Sequence, residues 1–212
     1  MPGGNMKKLM TVLVIAAVVC LVALPKPAAA GVQFGIKAGG NMAKPTGADA
    51  DDLEGTLKTK VGFVGGIFIA FNLSNSLSIQ TEVLYTMKGA TYEYTDIDGT
   101  VEETLYGDYI EIPLLLKLKF LSGGIQPFIF AGPYVGFKLS EKLEVMGEPI
   151  PIEEAILKNN DYGAIFGGGL QLGRGFHADV RYSMGLEKIL DSGVDEIDFK
   201  NGVWSATVGF AF

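Results

Sequence analysis

The sequence predicts an all-β chain: a closed, up-and-down antiparallel transmembrane β-barrel of about eight strands with short periplasmic turns and long extracellular loops. Three observations carry this expectation. Apolar residues recur with period two in segments of about ten residues, the length a tilted membrane strand needs. The connections alternate between short and long, as in an up-and-down barrel. The run Trp204-Ser-Ala-Thr-Val-Gly-Phe-Ala-Phe212 places Trp204, Ala206, Val208, Phe210 and Phe212 on one face, apolar and mostly aromatic, as a strand facing lipid requires.

Before the first strand, Met6-Lys-Lys leads into an apolar stretch over 9–24 and the small-residue run Ala28-Ala29-Ala30. This reads as a secretory signal peptide over residues 1–30, cleaved after Ala30, with the barrel domain over 31–212. An N-terminal membrane helix is the alternative, but the apolar run is short and broken by Pro25-Lys26-Pro27. The single cysteine, Cys20, lies within this segment, so a disulfide framework is excluded. Val19 beside it argues against lipoprotein attachment. Losing Lys7, Lys8 and Lys26 takes the net charge from −7 to −10, which disfavours nucleic acid as a partner.

The strand candidates in order are 32–42, 60–71, 77–88, 109–120, 125–139, 162–173, 176–187 and 203–212. In 77–88, Leu77, Ile79, Thr81, Val83, Tyr85 and Met87 oppose Ser78, Gln80, Glu82, Leu84, Thr86 and Lys88. In 109–120, Ile110, Ile112, Leu114, Leu116, Leu118 and Phe120 oppose Tyr109, Glu111, Pro113, Leu115, Lys117 and Lys119. In 176–187, Phe176, Ala178, Val180, Tyr182, Met184 and Leu186 oppose His177, Asp179, Arg181, Ser183, Gly185 and Glu187. The segment near Phe68 is apolar on both faces and leaves its register open.

Tight turns are expected at 72–76, 121–124 and 173–175, and long loops at 43–59, 89–108, 140–161 and 188–202. This alternation predicts an even strand number and pairing of 204–212 with the strand that holds Phe34 and Ile36. Pro113, Pro127 and Pro133 fall inside strands, where each removes a ladder hydrogen bond, so bulges or rim positions are expected around them. All acidic residues except Glu82, Asp108, Glu111 and Asp179 are assigned to loops.

The run Tyr109-Ile-Glu-Ile-Pro-Leu-Leu-Leu-Lys117, followed by Gln126-Pro-Phe-Ile-Phe-Ala-Gly-Pro-Tyr134, resembles the PorT-like outer membrane β-barrel family of Gram-negative bacteria. The opening Gly35-Ile-Lys-Ala-Gly-Gly-Asn41, Asp161-Tyr-Gly163, the Gly167–Gly169 run and Asp179-Val-Arg-Tyr-Ser-Met-Gly-Leu186 extend the resemblance over nearly all of 31–212. It implies a small eight-stranded outer membrane protein and carries no catalytic motif.

An eight-stranded barrel has an interior that side chains can fill. Lys37, Glu82, Glu111, Lys117, His177, Asp179 and Arg181 are therefore the candidate polar network of the lumen, with Gln33, Gln80 and Gln171. Trp204, Phe210 and Phe212 are the candidates for barrel closure and the membrane girdle. Tyr85, Tyr92, Tyr94, Tyr106, Tyr109, Tyr134 and Tyr162 are assigned to the same girdle. No catalytic, cofactor or metal residue is expected: His177, the sole histidine, has no nucleophilic serine beside it, because Ser183 is too far along the strand.

The acidic clusters Asp49/Asp51/Asp52/Glu54, Asp96/Asp98/Glu102/Glu103 and Asp195/Glu196/Asp198 offer oxygen ligands for divalent cations, although none has a calcium-loop spacing. The apolar stretch 145–152 is expected to cover the barrel mouth or meet a partner. The functional expectation is a monomeric, non-enzymatic barrel with a plugged polar interior and an envelope-structural or surface-interaction role through acidic outer loops. Its partners would be outer membrane lipid and lipopolysaccharide, and the barrel assembly machinery during insertion. A small porin-like pore or uptake channel is the alternative, followed by an outer-leaflet lipid-modifying enzyme. A soluble lipocalin-like barrel is the alternative at the level of fold.

Overall fold

Period-two segments with one apolar and one mixed face can satisfy every backbone group in a membrane only by pairing into a ring. The computed structural model describes residues 31–47, 50, 57–96, 99–120, 123–151, 156–173, 175–188 and 199–212. The expected signal segment 1–30 lies outside them. Among the described residues there are eight long strands: β1 (Val32–Thr46), β3 (Lys60–Asn72), β4 (Leu77–Asp96), β5 (Gly99–Lys119), β6 (Ile125–Val145), β8 (Asn160–Leu172), β9 (Phe176–Lys188) and β10 (Lys200–Ala211). Two short strands, β2 (Leu57–Lys58) and β7 (Glu148–Ile150), pair on the outside of β4 and β6.

Each long strand pairs antiparallel with its neighbours in the chain, and the ring is completed by β1 with β10 and β4 with β5. The closing seam runs from Gly35↔Ala211 to Thr46↔Lys200, with Ile36 opposite Phe210. A further hydrogen bond from the Phe212 amide to the Phe34 carbonyl, 2.8 Å, extends it. The 72–76 turn is held by the Leu73 and Ser74 amides on the Leu77 carbonyl and by Ser74 Oγ, which accepts from the Ser76 and Leu77 amides.

Burial alternates along the strands as the period-two pattern requires. Phe34, Ile36, Met42, Val61, Phe63, Ile67, Val83, Leu116, Ile129, Leu170, Val180 and Val208 are exposed around the outside. That apolar outer surface would be unfavourable in water and is what a strand facing lipid presents. In β3 the register left open by sequence resolves with Val64, Phe68 and Ala70 inward.

Glycines on one strand seat aromatic rings from the next. A Cβ at Gly167 would lie 2.7 Å from Phe130 Cζ, one at Gly169 would lie 2.7 Å from Phe128 Cζ, and one at Gly163 would lie 2.8 Å from Tyr134 Cζ. All three glycines are the cross-strand partners of those aromatics. The glycine run of β8 therefore exists to let bulky inward rings lean across a neighbouring strand and fill the lumen.

Three sequence expectations need correction. The stretches 89–108 and 140–161 are not loops throughout: β4 and β5 stay paired from Gly89↔Tyr106 to Asp96↔Gly99, and β6 runs on to Val145. Alternation of large apolar residues fades there because no lipid covers these faces, while the hydrogen-bond ladder continues. Glu93, Glu102, Glu103, Glu141, Glu144, Glu148 and Asp161 thus stand on strands. The prolines cause no bulge. Pairing lapses between Thr81↔Leu114 and Leu84↔Glu111, and between Pro113↔Tyr134 and Leu116↔Ala131, and resumes in the same register. The register shifts lie instead at Asp108/Tyr109 and Lys200/Gly202.

Within the expected apolar stretch 145–152, residues up to Ile150 form the β6–β7 hairpin through Met146 and Gly147, whose φ angles of 53° and 83° suit a tight hairpin turn, and Met146 is exposed; residue 152 lies outside the described residues. It is Leu157 that is buried, against Gly107 and near Tyr109. Lys138 Nζ donates to the Leu157 carbonyl at 2.5 Å, and Glu141 accepts from Lys138 and from the Ile156 and Leu157 amides.

Candidate functional site: a charge-filled lumen

Inward positions of β1, β4 and β9 bring Lys37, Glu82, Asp179 and Arg181 together, although 142 residues separate Lys37 from Asp179 in the chain. Lys37 Nζ donates to Asp179 Oδ2 at 2.8 Å and to Glu82 Oε1 at 3.4 Å. Arg181 Nη1 and Nη2 donate to the two oxygens of Glu82 at 2.7 and 3.2 Å, a forked contact, and its Nε donates to Asp179 Oδ1 at 3.0 Å. Gln80 adds a donor to Glu82 at 2.6 Å. The side chains of Lys37 and Glu82 are 0 % exposed. Two cations and two carboxylates make this cluster formally neutral, which is what allows four ionic groups to remain buried.

A second cluster lies further toward the extracellular side. Lys88 Nζ reaches Glu111 Oε2 at 2.7 Å and Asp161 Oδ2 at 2.8 Å. Asp161 Oδ2 also accepts from Tyr134 Oη at 3.1 Å and from Asn201 Nδ2 at 2.8 Å. Lys88 stands near the faces of Tyr134 and Tyr109, which add cation–π attraction. Asn41 and Thr86 hydrogen-bond over the inner face of β3 at 2.9 Å. Along one wall Leu115, Phe128, Phe130, Tyr134 and Ile165 pack as a buried apolar cluster.

Of the residues singled out from sequence, Lys37, Glu82, Asp179 and Arg181 thus form one network, and Glu111 belongs to the other. Lys117 is buried over the Phe128 ring, 3.7 Å from its centroid. His177 meets the edge of Phe68 at 5.1 Å between centroids, and Ser183 is buried on the same inward face. The sequence pattern alone puts Lys88 on the inward face of 77–88 with no partner and assigns Asp161 to the 140–161 loop. The alternation Asp161, Gly163, Ile165, Gly167, Gly169 was the available signal, and starting the strand one residue later hid it.

Trp204 and Phe212 are exposed on the outside; Trp204 contacts Tyr182, which contacts Phe166, and Phe210 packs between Phe176 and Phe212. On the line of β10, Trp204 and Phe212 are about 20 Å apart along the barrel axis, given ~3.4 Å per residue and a strand tilt of about 40°. Tyr109 and Tyr134 do not belong to the girdle: both are buried in the lumen, because they fall on the inward period of β5 and β6. The acidic groups at 49–54 and 195–198 lie outside the described residues. Among the described residues no three His, Cys, Asp or Glu side chains stand together as a metal site.

A closed antiparallel ring with an apolar outer band and paired charges inside defines a small transmembrane β-barrel of the outer membrane type. The chain belongs to the outer membrane protein beta-barrel domain family, whose model matches residues 25–191, and it is an outer membrane protein. The fold is similar to that of the outer membrane protein OprG from Pseudomonas aeruginosa: TM-score 0.51, 12 % identity, covering 87 % of this chain and 97 % of that one. Neisserial surface protein A (TM-score 0.47, 17 % identity, 86 % and 99 % covered) is also similar. So is Ail of Yersinia pestis, solved in complex with the heparin analogue sucrose octasulfate (TM-score 0.42, 15 % identity, 85 % and 99 % covered). No curated protein matches the sequence significantly.

Proposed function

We propose that the protein is a non-enzymatic, monomeric barrel whose lumen is plugged, and that it acts in the envelope as a structural element presenting an acidic extracellular surface. The observation that carries this reading is the Lys37–Glu82–Asp179–Arg181 cluster. It ties β1, β4 and β9 across the lumen, with side chains at 0–2 % exposure. An ion crossing at that level would have to separate buried charges that compensate one another, at an expense of several kcal/mol.

Beyond the membrane, the paired extensions of β4, β5 and β6, edged by β2 and β7, form a sheet that carries Glu93, Glu102, Glu103, Glu144 and Glu148. This surface suits contact with cationic groups or bridging divalent ions. The resemblance of the motifs noted above to PorT-like barrels supports a role in a Gram-negative envelope. Lipid, lipopolysaccharide and, during insertion, the barrel assembly machinery are the partners this reading implies.

Reconstitution of the purified protein into planar bilayers tests the plug. The expected record has no steady conductance. Stable open levels in the wild type would replace this reading with a pore.

A further inference from the structure

The periplasmic end of the lumen carries more positive charge than its own carboxylates balance. Glu82 and Asp179 are both taken up by Lys37 and Arg181. The Lys117 and Lys119 ammonium groups make no hydrogen bond or ion pair among the described residues, and Lys117 as a residue is largely buried, whereas Lys119 is half-buried. Both line a cavity of about 10 Å³ at the mouth, together with Ser78 and His177.

Two further atoms there lack partners. Ser78 Oγ and His177 Nε2 are buried without a hydrogen bond, on residues that are 1 % and 6 % exposed. Buried polar atoms are rarely left unpaired, and an ammonium on a largely buried side chain is favoured by a nearby counter-charge. Phe128 offers Lys117 a ring face, yet a ring face does not neutralise a charge.

The geometry points to a site for one small monovalent inorganic anion, of chloride size, held by the Lys117 and Lys119 ammonium groups, the Ser78 hydroxyl and the His177 ring. The space is at the limit for a single water-sized occupant, which excludes phosphate and sulfate unless the lysines swing out. Ser78 stands opposite Lys117 on the β4–β5 ladder and His177 opposite Gln171 on β8–β9, so the ligands come from strands that the barrel itself holds in place. The charged cluster one layer deeper closes the inner end, so the anion would be resident rather than in transit.

The test uses the purified full-length protein in detergent. Its thermal unfolding midpoint is measured in sodium chloride and in sodium gluconate at equal ionic strength, and crystals are soaked in bromide. The expected results are a higher midpoint in chloride and an anomalous bromide peak between Lys117 and Ser78. Lys117→Met should remove both while keeping the β-sheet circular dichroism spectrum. Should that variant not fold, Ser78→Ala is expected to weaken bromide binding about tenfold. No bromide peak in the wild type, a peak that survives in Lys117→Met, or an equal chloride response in the variants would overturn the site.

Discussion

Neutralising Glu82 tests the lumen network directly. Glu82→Gln keeps the shape and a hydrogen-bonding oxygen but removes one of the two negative charges in a cluster with two cations. Lys37 and Arg181 would then share Asp179 alone, leaving a net charge of +1 in a region with no exposed surface. Breaking a buried ion pair in this way costs about 3–5 kcal/mol, a factor of roughly 10² to 10³·⁵ in the folding equilibrium. Arg181→Met leaves the opposite imbalance, −1, and should cost a similar amount.

The double variant restores neutrality, because Lys37 and Asp179 remain paired at 2.8 Å. It should therefore lose less than the sum of the two single variants, with a coupling of about 1.5–3 kcal/mol. Equilibrium urea unfolding of the protein in lipid vesicles, followed by tryptophan fluorescence, reads all four states of the cycle. A Glu82→Gln effect below about 1 kcal/mol, or a double variant equal to the sum, would refute the claim that charge balance holds this layer.

Three other expectations follow from the same geometry. Lys88→Met strands Glu111 and Asp161 without their shared cation and should destabilise by about 3–5 kcal/mol in the same unfolding assay, whereas an effect near zero would mean that water reaches both carboxylates. Val208→Arg puts a charge midway between Trp204 and Phe212 on the outer face and should cost about 2–4 kcal/mol in lipid, so a negligible loss there would contradict its assignment to the lipid band. At Glu141, beyond the membrane, burial pushes the carboxyl up, but hydrogen bonds from Lys138 and the Leu157 and Ile156 amides outweigh it and hold the group below the ordinary carboxylate range. A lowered folded value means that the tether on 156–157 persists as pH falls through about 4.3 and is lost only below it. The Ile156 and Leu157 amide resonances should titrate with that low midpoint, and a midpoint at or above about 4.3 would remove the tether.

Much of the barrel was legible because period two reports on one boundary condition, lipid outside and packed side chains inside. Where that condition holds, as in 77–88, 109–119 and 176–187, the inward and outward residues were read correctly one by one. Where it lapses, above the membrane, the ladder continues without an apolar signature, and 89–108 looked like a loop. The tyrosines divide for a related reason. Composition says only that a ring suits an interface, while the strand parity of Tyr109 and Tyr134 turns them inward onto Lys88.

Residue order alone specifies the strand periodicity, the 72–76 turn, the closing pair of β1 with β10, and the set of charges that must face away from lipid. It could not say which charge meets which. Partners such as Lys37 and Asp179, or Lys88 and Asp161, lie on different strands, and their meeting depends on the stagger between strands around the ring and on where each long side chain reaches. The closed ring is what pairs Glu82 with Arg181 and Lys37 and Glu111 with Lys88, and what leaves Lys117 over the Phe128 ring with no ion pair among the described residues. The physical reason is that alternation is a property of one strand, whereas charge balance is a property of the closed ring.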